Sequence, residues 1–442
     1  MLNLRSKRTL DYIWNKLADW ATGGNGVLAN PLTTGLVIDE ALTIYVETTG
    51  DDTNDGSLAR PFRTIQGALD WLRPFVIRNA VTIQVGLGTF SGFTVPYLTV
   101  ERQGATLGSV TIQGTLVEVY SGTTADSVST GILDDATKTW TANELKGMYL
   151  SYPATTSLIP IQANTATSIT FLSGGTPSGV YQVYRCGTTI TNTVYAGTST
   201  ACVVFEHAAG SSSWLSPTVS IKRVGFACGN YGVYLANSQT ANLTECFFDV
   251  SPSATYGVYS AGISRVALTR CVVKMTKTAS GSIGALATGT GGIESLSGSY
   301  IWGTGAAGQV GLSGWNSLYN TGSFLLESLG TGITVAFGGG SRILLCTFVG
   351  CTTAIQSACQ NLAIYDSKYN IPGFPISSSG NTTFVKATQG AKISIHSGVP
   401  SGLATTDIDI DSGTTSTLAA MRALTPKCFP ASPTPFGTCV FE

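Results

Sequence analysis

Six carboxylates fall within the repetitive part of the chain: Glu206, Glu245, Asp249, Glu294, Glu327 and Asp366. Two carboxyl groups roughly 5–10 Å apart can cleave a glycosidic bond, one protonating the leaving oxygen while the other activates water or attacks. Glu245 and Asp249 come nearest to such a pair, within the run ANLTECFFDV. Read as one strand, they share a face but lie about 13 Å apart, and each has an expected basic neighbour. Glu206 stands beside His207 at a strand end, where alternation turns the two to opposite faces and denies them the hydrogen-bonded geometry of an acid–base dyad. Glu245, Asp249 and Glu206 are therefore weak catalytic candidates, weighed against the default role of such residues in charge ladders.

Other chemistries fit less well. The ten cysteines include no CxxC spacing and accompany two histidines. Several fall at inward strand positions, where a free thiol behaves as a small hydrophobe rather than a metal ligand. The acidic loop Asp51–Asp55 could hold calcium but lacks the EF-hand register and its closing glutamate, so side chains bonded to their own backbone are the simpler reading. The Gly-rich segments at 284–298 and 330–340 have no GxxxxGK[ST] and no strand–helix frame for phosphate. No cofactor and no metal are expected. Aromatic residues are plentiful, among them Trp214, Tyr231, Tyr234, Tyr256, Tyr259, Trp302, Trp315 and Tyr319. Flat rings suit sugars and also subunit contacts, which makes Tyr234, Tyr259, Trp302 and Trp315 candidates for glycan binding or for burial between subunits.

The element that must position these groups is a repeat. SIKRVGFACG, ANLTECFFDV and VALTRCVVKM superpose, with Val233 recurring as Val258 and Cys246 as Cys271, each a step of 25. A period in the twenties made of short β-branched runs and polar turns is one coil of a solenoid. Alternation places Val224/Cys246/Cys271, Phe226/Phe248/Val273 and Cys228/Val250/Met275 in three interior columns, with Thr244 and Thr269 inward and Leu243 outward. The opposite face stacks Arg223 on Glu245 on Arg270, and Asp249 on Lys274. Opposite charges in register are what a parallel stack favours, so the region reads as a parallel β-helix. The period continues through Ile283, Val310, Ile333 and Ile355, with Ile343–Phe348 and Leu362–Tyr365 as further strands.

Composition agrees. The chain carries 52 Gly, 43% hydrophobic and 11% charged residues at a net charge of −1, which excludes disorder and offers no general attraction to nucleic acid. Neither a secretory signal nor a run of membrane-spanning length is present, so membrane insertion is not expected. Residues 6–21 form an amphipathic helix in which Leu10, Ile13, Trp14 and Leu17 share one face. That face either caps the solenoid or docks onto a partner.

Three stretches carry a family resemblance. IYVETTGDDTNDGSLARPFRTIQGALDWL (44–72) resembles the opening motif of right-handed parallel β-helix proteins of the pectin-lyase-like class, especially in bacteriophage tail spikes and fibres. The match runs through Gly50, Asp52, Asn54, Asp55, Gly56, Pro61, Phe62, Thr64, Ile65, Gln66, Ala68 and Asp70, with a helix over Ile65–Leu72. Residues near 116–186 resemble a small β module of phage tail proteins at Trp140, Leu145, Gly147, Tyr149, Asn164, Thr165, Thr167 and Ile169. The last stretch resembles the terminal segment of tail-fibre and tailspike proteins at Thr417, Leu418, Ala419, Arg422, Ala423, Pro426, Lys427, Phe436, Gly437, Thr438 and Glu442.

These resemblances imply an all-β, right-handed parallel β-helix solenoid with a short N-terminal helix and a small inserted β module. The expected organisation is a virion-attachment or capping segment (1–43), first coils with a capping helix (44–115), the inserted module (116–187), the β-helix (188–403) and a terminal segment (404–442). The implied function is that of a virion structural protein made in the host cytoplasm. It would be a homotrimeric tail spike or fibre, joined to other tail or baseplate proteins through Leu10, Ile13, Trp14 and Leu17, and attaching to host surface polysaccharide. A tailspike depolymerase and a head or baseplate decoration protein are the alternatives; the low density of carboxylates favours attachment over cleavage.

Overall fold

The computed structural model describes residues 36–364 apart from loop stretches, the longest being 206–218 and 316–323, and beyond them the backbone of strands within 383–441. The described chain is nearly all β, with one helix, Ile65–Leu72. Three long parallel sheets run side by side, and successive strands visit them in a fixed order. In one coil, Thr240–Thr244 lies in the first sheet, Phe247–Val250 in the second and Tyr256–Ser260 in the third. Their counterparts Arg265–Thr269, Val272–Met275 and Ser282–Thr288 follow one coil later. The molecule is a parallel β solenoid. A continuous interior core runs from Ile44 and Ile83 through Phe226 and Phe248 to Leu326 and Ile355, all buried.

The expected interior columns form. Phe226 pairs with Phe248 and Phe248 with Val273, while Cys228 pairs with Val250 and Val250 with Met275; the Phe226 and Phe248 rings stack at 4.6 Å. Two details differ from simple alternation. Leu243 and Leu268 are fully buried, and Thr244 and Thr269 are the outward residues. The reason is the residue that follows each: Arg223, Glu245 and Arg270 adopt left-handed backbone, with φ of 60°, 55° and 50°. Each such residue ends one strand, turns the chain into the next sheet and resets the inward phase. The continuation of the period also shifts, because Val258 pairs with Ala285 rather than Ile283, and Leu312 rather than Val310 precedes Ile333. Small Ala285, fully buried, fills the inward place that hydrophobicity alone assigns to Ile283 two positions earlier. Ile343–Phe348 is likewise two strands, Ser341–Ile343 and Cys346–Val349, in different sheets.

A glycine column accounts for tight packing in the third sheet. An added Cβ on Gly232, Gly257, Gly284 or Gly311 would lie 2.4–2.6 Å from the carbonyl oxygen of Gly257, Gly284, Gly311 or Gly332 respectively. That is well inside contact distance. Glycine is required there by close approach of neighbouring coils, a use its missing Cβ permits.

At the first coil, the helix packs Ile65, Ala68, Leu69 and Leu72 into the same core as Ile44 and Val46. Thr64 caps its first turn by accepting the Gly67 N–H at 2.9 Å. Between Gly114–Thr115 and Gly187 the chain leaves the solenoid and builds a seven-stranded antiparallel sheet from strands within 116–186. That sheet has its own core of Leu133, Trp140, Leu145, Leu150, Ile161, Ile169, Phe171, Tyr181 and Val183. The helical reading of 6–21 lies outside the described residues, as do Thr417, Leu418, Ala419, Arg422, Ala423, Pro426, Lys427, Phe436 and Glu442 of the terminal resemblance. No helix among the described residues is long and apolar enough to cross a membrane.

Candidate functional site

The left-handed corner between the first and second sheets brings the expected charge column together. Glu245 is 1% exposed; Arg223 Nε lies 2.9 Å from its Oε2 and Arg270 Nη2 lies 3.2 Å from its Oε1. The Leu158 N–H of the antiparallel module donates to Oε1 at 3.1 Å. Burial pushes the carboxyl up, but the hydrogen bonds from Arg223 and Leu158 and the charges of Arg223 and Lys222 outweigh it, holding Glu245 below the usual carboxylate range. A carboxylate so paired serves neither as a proton donor nor as an open nucleophile near neutral pH. Asp249 sits on the next strand, beyond the corner, and is opposite Lys274 in register. The two carboxylates thus belong to different elements.

Glu327 is the third carboxylate the solenoid positions. Lys146 Nζ of the module lies 2.8 Å from its Oε1, and the Tyr300 hydroxyl donates to its Oε2. The same ammonium lies 4.7 Å from the Trp302 ring centroid, with Lys274 Nζ on that ring at 5.9 Å. Trp302 is therefore a partly buried ring under a lysine, not the open aromatic face its sequence position allowed. Nothing in the sequence pointed to Lys146: it lies 181 residues from Glu327, and only the docking of the module joins them.

The outer face of the third sheet carries a tyrosine quartet. Tyr234 and Tyr259 pair in register with ring centroids 5.2 Å apart and planes within 4° of parallel; Tyr231 and Tyr256 do the same at 5.3 Å and 10°. The two stacks meet edge to face, Tyr231 against Tyr234 at 68° and Tyr256 against Tyr259 at 62°. Rings stacked coil on coil each turn one face to the partner ring, and outward the arrangement presents ring edges and phenol hydroxyls. Trp315 is placed in the strand Gln309–Trp315, in register between Thr288 and Ala336.

The acidic loop is built from its own bonds. Asp52 accepts from the Arg63 N–H (3.0 Å), the Thr64 N–H (2.8 Å) and the Thr64 hydroxyl (2.7 Å), while Asp51 accepts from the Thr53 N–H and hydroxyl. Asn54 donates to the Pro61 carbonyl at 2.9 Å. Among the described residues no cluster of His, Cys, Asp or Glu is arranged to hold a metal ion.

Three of the described cysteines, Cys246, Cys271 and Cys351, line the corners. Cys246 Sγ lies 3.4 Å from the Ile221 carbonyl, Cys271 Sγ 3.2 Å from that of Leu243 and Cys351 Sγ 3.5 Å from that of Leu326. Each follows a left-handed residue (Glu245, Arg270, Gly350) and donates back to the coil below. Burial pushes the Cys186 thiol up to about 12 and that of Cys351 up to about 11, which makes them poor nucleophiles.

Glu206, His207, Asp366, Trp214, Tyr319 and the helical candidates Leu10, Ile13, Trp14 and Leu17 lie outside the described residues, as does the side chain of Glu294.

The fold defined by these features is a parallel β solenoid with an antiparallel module on one flank. No family model matches the chain, and no curated protein does. Among solved structures, a glycoside hydrolase aligns at 9% identity over 80% of this chain and 92% of its own, with a TM-score of 0.36. A complex of XylC with xylose aligns at 9% identity over 83% and 69%, at 0.37. The tailspike gp61 of Pseudomonas phage phi297 aligns at 12% identity over 75% and 70%, at 0.20. At these values the likenesses assign neither family nor activity.

Proposed function

We propose that this chain is a bacteriophage virion protein of the tail spike or tail fibre type: a right-handed parallel β-helix, assembled as a homotrimer, that attaches to host surface polysaccharide. The observation that carries this reading is the opening motif. Its Asp52, Asn54, Pro61, Thr64 and Ile65 are the residues that close the first coil, through Asp52 on the Thr64 N–H, Asn54 on the Pro61 carbonyl and Ile65 in the core. The sequence resemblance to phage β-helices rests on those same positions.

Attachment is favoured over cleavage because Glu245 and Glu327 are engaged by Arg223, Arg270 and Lys146, which removes two carboxylates from the set available for hydrolysis. The tyrosine quartet is assigned to the contact between subunits, since stacked rings with only edges and hydroxyls outward suit a packed protein interface better than a sugar-stacking platform. The N-terminal segment is assigned to attachment to the particle.

The test is purified protein incubated with envelope polysaccharide from bacteria that the source virus infects. Retention of polysaccharide without new reducing ends or unsaturated sugars is expected. Products of cleavage would replace the attachment reading with a depolymerase, and absence of both binding and products would leave a decoration protein.

A further inference from the structure

The antiparallel module covers the outer face of the second sheet, and the sequence of that face matches its footprint. The outward column in register runs Thr189, Gly225, Phe247, Val272, Tyr300, Leu325 and Thr347. Its apolar members are the middle four. Val272, Tyr300 and Leu325 form one buried cluster with Tyr149 and Leu158 of the module, and half-buried Phe247 packs against it. Outward apolar residues on four successive strands make sense only beneath a cover.

Polar contacts tie the same surfaces along the stack. Leu158 N–H reaches Glu245, the Tyr149 hydroxyl donates to the Cys246 carbonyl at 2.8 Å, the Tyr300 hydroxyl reaches the Gln162 carbonyl at 3.4 Å, and Lys146 pairs with Glu327. From Phe247 to Glu327 the module touches four successive strands, about 14 Å at the spacing of paired strands. Its covalent attachment is narrow by comparison. The Gly187 N–H donates to the Thr115 carbonyl at 2.8 Å, and Leu116 pairs with Cys186, so the module leaves and re-enters at a single corner.

A solenoid is a one-dimensional array in which each coil contacts only its neighbours, and opening can begin at an end and proceed coil by coil. A module docked across four coils removes that route, because none of the four can open without undocking it. We propose that the module is a brace: it fuses the coils from Phe247 to Glu327 into one cooperative unit and slows their unfolding. This assignment is independent of whether the protein attaches to polysaccharide.

The test uses the full chain carrying Lys146→Ser and Tyr149→Ser. Both side chains face the solenoid, and neither belongs to the module's own core. Unfolding in guanidinium is expected to accelerate at least ~10-fold. Hydrogen exchange should rise in the distant strands Ser299–Trp302 and Phe324–Glu327 while the module core around Ile161 and Val183 stays protected. Should the double variant fail to fold, Glu327→Gln, which keeps every apolar contact, is expected to accelerate unfolding ~3-fold. A wild-type unfolding rate with unchanged exchange in the distant strands overturns the brace, as does loss of polysaccharide retention at a wild-type unfolding rate, which would make the module a binding domain.

Discussion

Glu245 and Arg223 occupy the same corner of successive coils, both in left-handed backbone, and their side chains pair at 2.9 Å. The corner conformation that strains a non-glycine residue is also what aims these two side chains along the outside of the stack, where Arg270 completes the column. Removing the carboxylate takes away the buried anion that Arg223 and Arg270 both pair with, so Glu245→Ala is expected to destabilise the protein by about 3 kcal/mol, measured by guanidinium titration.

The same residue sets an acid limit. The folded-state pKa of Glu245 is depressed, so its contribution is complete above the unfolded value of about 4.3. It is lost as pH falls through the lower folded value. Melting temperatures of wild type and Glu245→Gln should therefore differ at pH 7 and converge progressively below about pH 4. A constant difference down to pH 2 would assign the effect to something other than the ionised carboxylate.

The glycine column predicts intolerance to the smallest side chain. Gly257→Ala places a Cβ 2.5 Å from the Gly284 carbonyl oxygen, which the next coil can relieve only by moving. The expected cost is about 2–3 kcal/mol in the denaturation midpoint, whereas Gly281, whose surroundings within 4 Å are empty, is limited only by its positive φ.

Because Cys202, Cys228, Cys246, Cys271 and Cys351 are buried free thiols, they should resist Ellman's reagent in the native protein and react together on unfolding. Cys271→Val removes the donor to the Leu243 carbonyl and is expected to cost about 1–2 kcal/mol; Cys271→Ser, which retains a donor, should cost less.

The tyrosine quartet gives the subunit assignment its own test. Tyr234→Ser with Tyr259→Ser is expected to lower the mass found by sedimentation equilibrium from trimer towards monomer. An unchanged trimer removes the quartet from the interface and reopens its hydroxyl edges as a polysaccharide contact, for which single Tyr→Phe variants would then weaken retention.

What the sequence determined by itself was the local and periodic part of this protein. The Ile65–Leu72 helix, the Phe226/Phe248/Val273 column, the Arg223–Glu245–Arg270 charge ladder and the Tyr234–Tyr259 stack were legible because a parallel in-register coil repeats its neighbours at nearly constant spacing, so adjacency in space is written as recurrence in sequence. The phase of alternation at Leu243 was not legible, since a single left-handed residue resets it and a polar glutamate does not advertise that conformation. Nor was the register beyond Val258, where Ile283 and Ala285 compete and only packing against the coil below decides for the smaller. The Lys146–Glu327 pair, the covering of Trp302 and the burial of Glu245 beneath Leu158 belonged wholly to tertiary structure. They depend on where an inserted module comes to rest, and no repeat connects its residues to the coils they touch.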